Sequence, residues 1–210
     1  MFDRKFLLLV LLLIFPLSGD AQTRDDSPQF KNHLESPSAA PTPVSLSGAD
    51  PLLARAYRDV FEMLSQPNEC SQFYGGSHMA VLVLNKFVVR ITKSQLPKDV
   101  SFVMKGRIVS GGAQGSDARY RLFERAIINT SGSFYQTKTF ESQPSVPPIG
   151  TFAAGTRSAQ ALILLHELGH LIEGRDHNWL IRDDGMESGL SRRNTELVQH
   201  VCRRKLDGLN

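Results

Sequence analysis

The stretch "RSAQALILLHELGHLIE", residues 157 to 173, constrains this chain more than any other. It has no proline and is apolar for most of its length, but His166, Glu167 and His170 interrupt it. With Thr156 or Ser158 available as an N-cap, it predicts a helix of some four turns. Successive helical residues rotate by about 100°, so His166 and His170 share one face and Glu167 flanks it. Leu164, Leu165, Leu168 and Ile172 point the other way, towards a core. The expected helix is apolar behind and polar in front. A glycine inside a helix costs up to about 1 kcal/mol relative to alanine, so Gly169 signals that another part of the chain packs very close there.

Two neutral imidazoles one turn apart, beside a carboxylate, suit a catalytic zinc ion, Zn2+. Each His nitrogen can lie ~2.0–2.1 Å from the metal, and the carboxylate can take a proton from a water held there. His166 and His170 are therefore candidate metal ligands and Glu167 a candidate general base. The competing reading is a buried helix whose histidines are satisfied core residues. A di-iron carboxylate site would also use Glu-x-x-His, but it needs a second copy on another helix. The chain has none, since Glu196 and His200 are four apart.

The rest of the chain frames that helix. Arg4 and Lys5 precede the apolar run Phe6 to Leu17, and Gly19-Asp20-Ala21 supplies small residues, so residues 1–21 read as a secretory signal peptide cleaved after Ala21. The apolar run is shorter than the roughly 20 residues a membrane span takes. Residues 22–48, rich in Ser, Pro and Ala, read as a disordered linker, and 49–210 as one domain. The formal charge of +3 survives removal of the signal, because Arg4 and Lys5 leave with Asp3 and Asp20. That excess is too small to indicate nucleic acid. No nucleic-acid partner, no membrane attachment after cleavage, and a monomer are expected. Export would place Cys70 and Cys202 in an oxidising compartment, where they would pair; two buried free thiols are the alternative.

Asp50-Pro51 opens a predicted helix over 51–65, carried by Leu53, Ala56, Tyr57, Val60 and Leu64 and stopped by Pro67. "GGSHMAVLVLNKFVVRI" fits a helix better than a strand. From Val100 to about Phe140, short β-branched and aromatic pieces separated by "SGGAQGSD" and "NTSGS" predict strands of a small sheet. A polar loop then follows the histidine helix, and Asn194 is expected to cap a last helix using Leu197, Val198, Val201 and Leu206. The fold class is α+β, with a short β-sheet packed on the central histidine helix and flanking helices.

"HELGH" resembles the active-site helix of the zincin superfamily of metallopeptidases. That resemblance implies a small zincin-like domain in which His166 and His170 bind zinc and Glu167 activates water against a peptide or protein substrate. A third ligand is needed. Metzincin spacing fails, because Glu173 and Asp176 stand where glycine and histidine would be. "NWLIRDDGMESGLSRRNTELVQHVC", with "ECSQFYGG" around Cys70, is also similar to a group of uncharacterised secreted bacterial proteins. This similarity favours Asp183 as third ligand and a Cys70–Cys202 bridge, and it places the protein outside the cell or in a periplasm. Asp176, Asp184, His177 and Glu196 are the other candidate ligands, and an ordinary Asx turn is the competing reading of Asp183-Asp184-Gly185. An extended substrate would lie along an edge strand. His177, Tyr120 and Tyr135 are candidate oxyanion donors by residue type. The alternative function is a catalytically inactive exported interaction domain with the same fold and a structural zinc.

Overall fold

The structure, a computed structural model, describes residues 42–97, 100–112, 119–136, 146–185 and 187–209. The expected signal peptide and most of the expected linker lie outside the described residues. Those described hold five helices and a three-stranded sheet, so the protein is α+β. The order is α1 (Pro51–Leu64), α2 (Glu69–Phe73), α3 (Ser77–Val88), β1 (Ile91–Ser94), β2 (Phe102–Gly112), β3 (Arg119–Asn129), α4 (Arg157–Gly169) and α5 (Ser188–Asp207).

Helix α1 begins as its sequence dictates. Asp50 Oδ1 accepts from the amides of Leu52 (3.0 Å) and Leu53 (3.2 Å), and Pro51 fills the first helical position, where a missing amide costs nothing. Leu53, Ala56, Tyr57, Val60, Met63 and Leu64 form one buried stripe. The last residues of the stretch read as linker lie against this helix: the Val44 amide donates to Tyr57 Oη at 2.7 Å, and Val44 and Leu46 pack on the core. The segment after Gly76 is helical to Val88, as its spacing predicts, and then becomes strand β1 at Ile91.

Strand β3 is the middle of the sheet. It pairs antiparallel with β2 and parallel with β1, in the order β1-β3-β2. Gly106, at φ 92°, sits in the bulge between Lys105 and Ile108, where a Cβ would come within 2.8 Å of Glu124 Cβ. The expected strands are therefore β2 and β3. Residues 130–135 form turns rather than a further strand, and the third strand is β1, whose first residue, Ile91, closes the segment expected to be helical.

Two other expectations are corrected. Helix α4 stops at Gly169 instead of running to 173, because Leu171–Glu173 is drawn into β-type pairing with β3. The Arg121 amide donates to Leu171 O (2.8 Å) and the Glu173 amide to Arg119 O (2.9 Å). Helix α5 starts at Ser188, so Asn194 is interior and its side-chain amide donates to Arg182 O at 2.9 Å. Leu197 is 44% exposed and does not serve the core, unlike Val198 and Leu206.

Helix α4 is the centre of the core. Its residues are buried on nearly every side, not along one back face. Tyr74 Oη donates to Leu165 O at 2.6 Å, and Arg157 forks onto Asp59 at 2.7 and 3.1 Å. Cys70 and Cys202 are disulfide-bonded, joining α2 to α5 across 132 residues. No helix among the described residues is long and apolar enough to cross a membrane.

The Asp50 cap generates the first prediction. Burial works against its charge, but hydrogen bonds from Lys93, Leu53 and Leu52 outweigh it and lower the Asp50 pKa. A carboxyl whose pKa is lower folded than unfolded stabilises above its unfolded pKa, and that contribution is lost as pH falls through the folded pKa. Asp50→Ala should cost about 1 kcal/mol at pH 7 by chemical denaturation. Asp50→Asn should keep most of the cap while making stability fall less steeply below about pH 4. The bridge generates the second: Cys70→Ser with Cys202→Ser should lower unfolding free energy by about 2–5 kcal/mol.

Candidate metal centre

Beyond α4 the chain makes a hairpin that returns to the helix end. Glu173 pairs with Trp179, the Gly174 amide donates to Asn178 O at 2.7 Å, and the Leu180 amide donates to Ile172 O at 2.9 Å. Arg119 holds the near arm by forking onto the buried Glu173 carboxylate, both contacts at 2.7 Å. The far arm then passes over Gly169. A Cβ on Gly169 would stand 2.9 Å from Ile181 Cγ1 and 3.0 Å from Cδ1. The close approach expected of that glycine is the passage of Ile181, and it delivers Asp183 and Asp184 to the end of α4.

Three side chains converge there. His166 Nε2 and His170 Nε2 lie 3.2 Å apart. Asp184 Oδ2 is 3.2 Å from His166 Nε2, and Asp184 Oδ1 is 3.7 Å from His170 Nε2. One ligand atom from each of the three falls within 4.8 Å of the others, and both histidines are buried. Glu167 follows His166 on the helix and is partly open to solvent.

The tautomer of His166 follows from Thr195, on the inward face of α5. The Thr195 hydroxyl donates to Ser191 O at 2.9 Å, which uses its one proton. With that proton on Ser191 O, its 3.0 Å contact with His166 Nδ1 is one in which Nδ1–H donates. The lone pair of neutral His166 is therefore on Nε2, facing Asp184 and His170. Asp184 Oδ2 lies 3.2 Å from that nitrogen and accepts from it when His166 is protonated. Two imidazoles and a carboxylate gathered in one buried pocket could hold a cation.

Electrostatics agree. Burial works against a charge on His166, but the hydrogen bond to Asp184 and the charges of Glu167 and Asp184 outweigh it and raise its pKa. His170 is instead lowered to about 4, by burial first and then by a charge on His166, against the pull of Asp184 and Asp183. The cluster favours one added positive charge and resists a second. Burial pushes the Glu167 carboxyl up to about 7, with the Asp184 charge adding to the shift and His166 opposing it. A carboxyl poised near neutrality can both take and return a proton at ordinary pH.

The candidates separate clearly. The carboxylate facing both Nε2 atoms is Asp184, while Asp183, the third ligand expected from the sequence, is 62% exposed and ion-paired with Arg121. Asp176 accepts from Asn178 in the exposed hairpin loop. His177, at φ 60°, contacts Glu173 Oε1 at 3.1 Å, and Glu196 faces Arg192 on the surface. Tyr120 packs against Gly111, and Tyr135 lies beside Lys93. None of these five joins the His166, His170 and Asp184 group.

Sequence reasoning missed two residues, Arg121 and Thr195. Arg121 is buried on β3, donates from Nε to His170 O at 2.8 Å, and stacks 4.1 Å over the Trp179 ring. Its signal was a cation inside an otherwise core-facing strand. Thr195 falls on the helical stripe of Val198 and Cys202, a polar residue on a buried face. Neither family models, curated proteins nor solved structures yielded a match to this chain.

The packing of Ile181 on Gly169 is testable. Gly169→Ala forces an overpacked contact that should cost about 1–3 kcal/mol, more than the helix-propensity gain of up to about 1 kcal/mol. The thermal midpoint should fall, and Gly169→Ala should cost less in an Ile181→Ala background than in the wild type.

Proposed function

We propose that this chain is an exported zinc metallopeptidase of zincin-like fold that hydrolyses peptide bonds, with His166, His170 and Asp184 as zinc ligands and Glu167 as general base. The observation that carries the reading is the convergence of two buried imidazoles and a carboxylate whose ligand atoms lie within 4.8 Å of one another, beside the Glu167 carboxyl, which burial pushes up to about 7. Two nitrogens and one oxygen match the ligand count and type of a catalytic zinc, which keeps a further position open. The disulfide fits a protein that works in an oxidising compartment.

Zinc bound there supplies Lewis acidity, polarising a scissile carbonyl and making a water easier to deprotonate. The remaining work falls to the chain. Thr195 keeps the His166 lone pair on Nε2. Glu167 takes the proton of the attacking water as the new C–O bond forms, then returns it to the amide nitrogen as the C–N bond breaks. Water is consumed, and a carboxylate and an amine leave.

The purified protein should contain one zinc per chain. Glu167→Gln should retain that zinc and lower kcat/KM on a mixed peptide library about 10²–10⁴-fold, the usual contribution of a general base. One zinc per chain with no Glu167-dependent cleavage would sink the peptidase reading and leave an interaction domain with a structural zinc.

A further inference from the structure

Asp183, the third ligand expected from the sequence, stands beside a buried ring nitrogen. His170 Nδ1 is buried and has no hydrogen-bond partner among the described residues. The carboxylate oxygen facing it is Asp183 Oδ1, at 3.7 Å, too long for a hydrogen bond but within reach of a small carboxylate rotation. That same oxygen is held by Arg121, which also binds His170 O at the end of α4. Arg121 is itself fixed between the strand and the Trp179 ring. The carboxylate is thus anchored to the helix turn that carries His170, while most of its side chain remains in solvent.

From this arrangement we infer that Asp183 is a positioning residue of the metal centre: anchored by Arg121, it accepts the Nδ1–H of His170 when His170 Nε2 binds the metal. The inference rests on the metal-centre reading and deepens it. A neutral imidazole that gives its Nε2 lone pair to a metal must carry its proton on Nδ1, and a buried N–H needs an acceptor. Asp183 supplies one without leaving Arg121, because a carboxylate oxygen has two lone pairs. The two histidines are then oriented from opposite sides, His166 by Thr195 of α5 and His170 by Asp183 of the return loop. Adjacent aspartates divide the work: Asp184 faces the metal directly, and Asp183 acts through His170. Outer partners of this kind fix ring orientation and raise the basicity of the ligand.

The test is zinc affinity, by competition with a chromophoric chelator, together with ¹⁵N NMR of the imidazoles in the zinc-loaded protein. In the wild type both His166 and His170 should show Nδ1–H. Asp183→Ala should weaken zinc binding about 10–100-fold, the usual cost of losing an outer partner. Asp183→Asn, whose side-chain oxygen still accepts, should recover part of that loss and keep the Nδ1–H signal of His170. Wild-type affinity in Asp183→Ala would overturn the inference and leave the metal centre standing. Loss of zinc as complete as in Asp184→Ala, with no recovery in Asp183→Asn, would overturn it by making Asp183 a direct ligand. A wild-type protein that binds no zinc would overturn the metal centre and the inference together.

Discussion

Burying α4 on nearly every side removes water as a partner for its polar groups, so each must be met by protein or by a ligand. That constraint organises the molecule. The Leu165 carbonyl takes Tyr74 Oη, the His170 carbonyl takes Arg121, and Ser158 and Gln160 reach Leu206 O and Phe134 O. What these contacts leave over is concentrated at one end of the helix. There the two imidazoles face Asp184, and these three side chains could hold a metal ion.

The end of α4 depends on contacts far apart in sequence. Gly169 lets Ile181 pass, the pairing of Leu171–Glu173 with β3 aims the hairpin, and Arg119 secures it through Glu173. Helix α5 closes the other side and brings Thr195 to His166, with its later turns tied to α2 through Cys202 and Cys70. Sheet, hairpin, helix and disulfide therefore act on the same few ångströms. A shift in any of them would change the distance between Asp184 and the imidazoles.

Much of this was legible in the sequence where a local rule decided it. Asp50-Pro51, the stripe of α1 and the apolar run of α4 each obey a pattern a few residues long. So do the two histidines one turn apart, and Gly169 marked a close approach without naming its partner. The misreadings come from competition between local and distant contacts. Residues 171–173 look helical but gain strand hydrogen bonds from β3. Asn194 looks like a cap, yet serves from within α5 as a donor to Arg182 O. Adjacent Asp183 and Asp184 are equivalent on paper, and only Arg121, sixty residues earlier, separates them. Strand β1 is four residues long behind a helix, and its pairing with β3 is not written in either segment.

The proposed zinc ion lies between His166, His170 and Asp184. Anomalous diffraction at the zinc absorption edge, from crystals of the zinc-loaded protein, tests it most directly. One strong peak bonded to His166 Nε2, His170 Nε2 and the Asp184 carboxylate is expected. A peak elsewhere on the chain, or none between those three side chains, would contradict it.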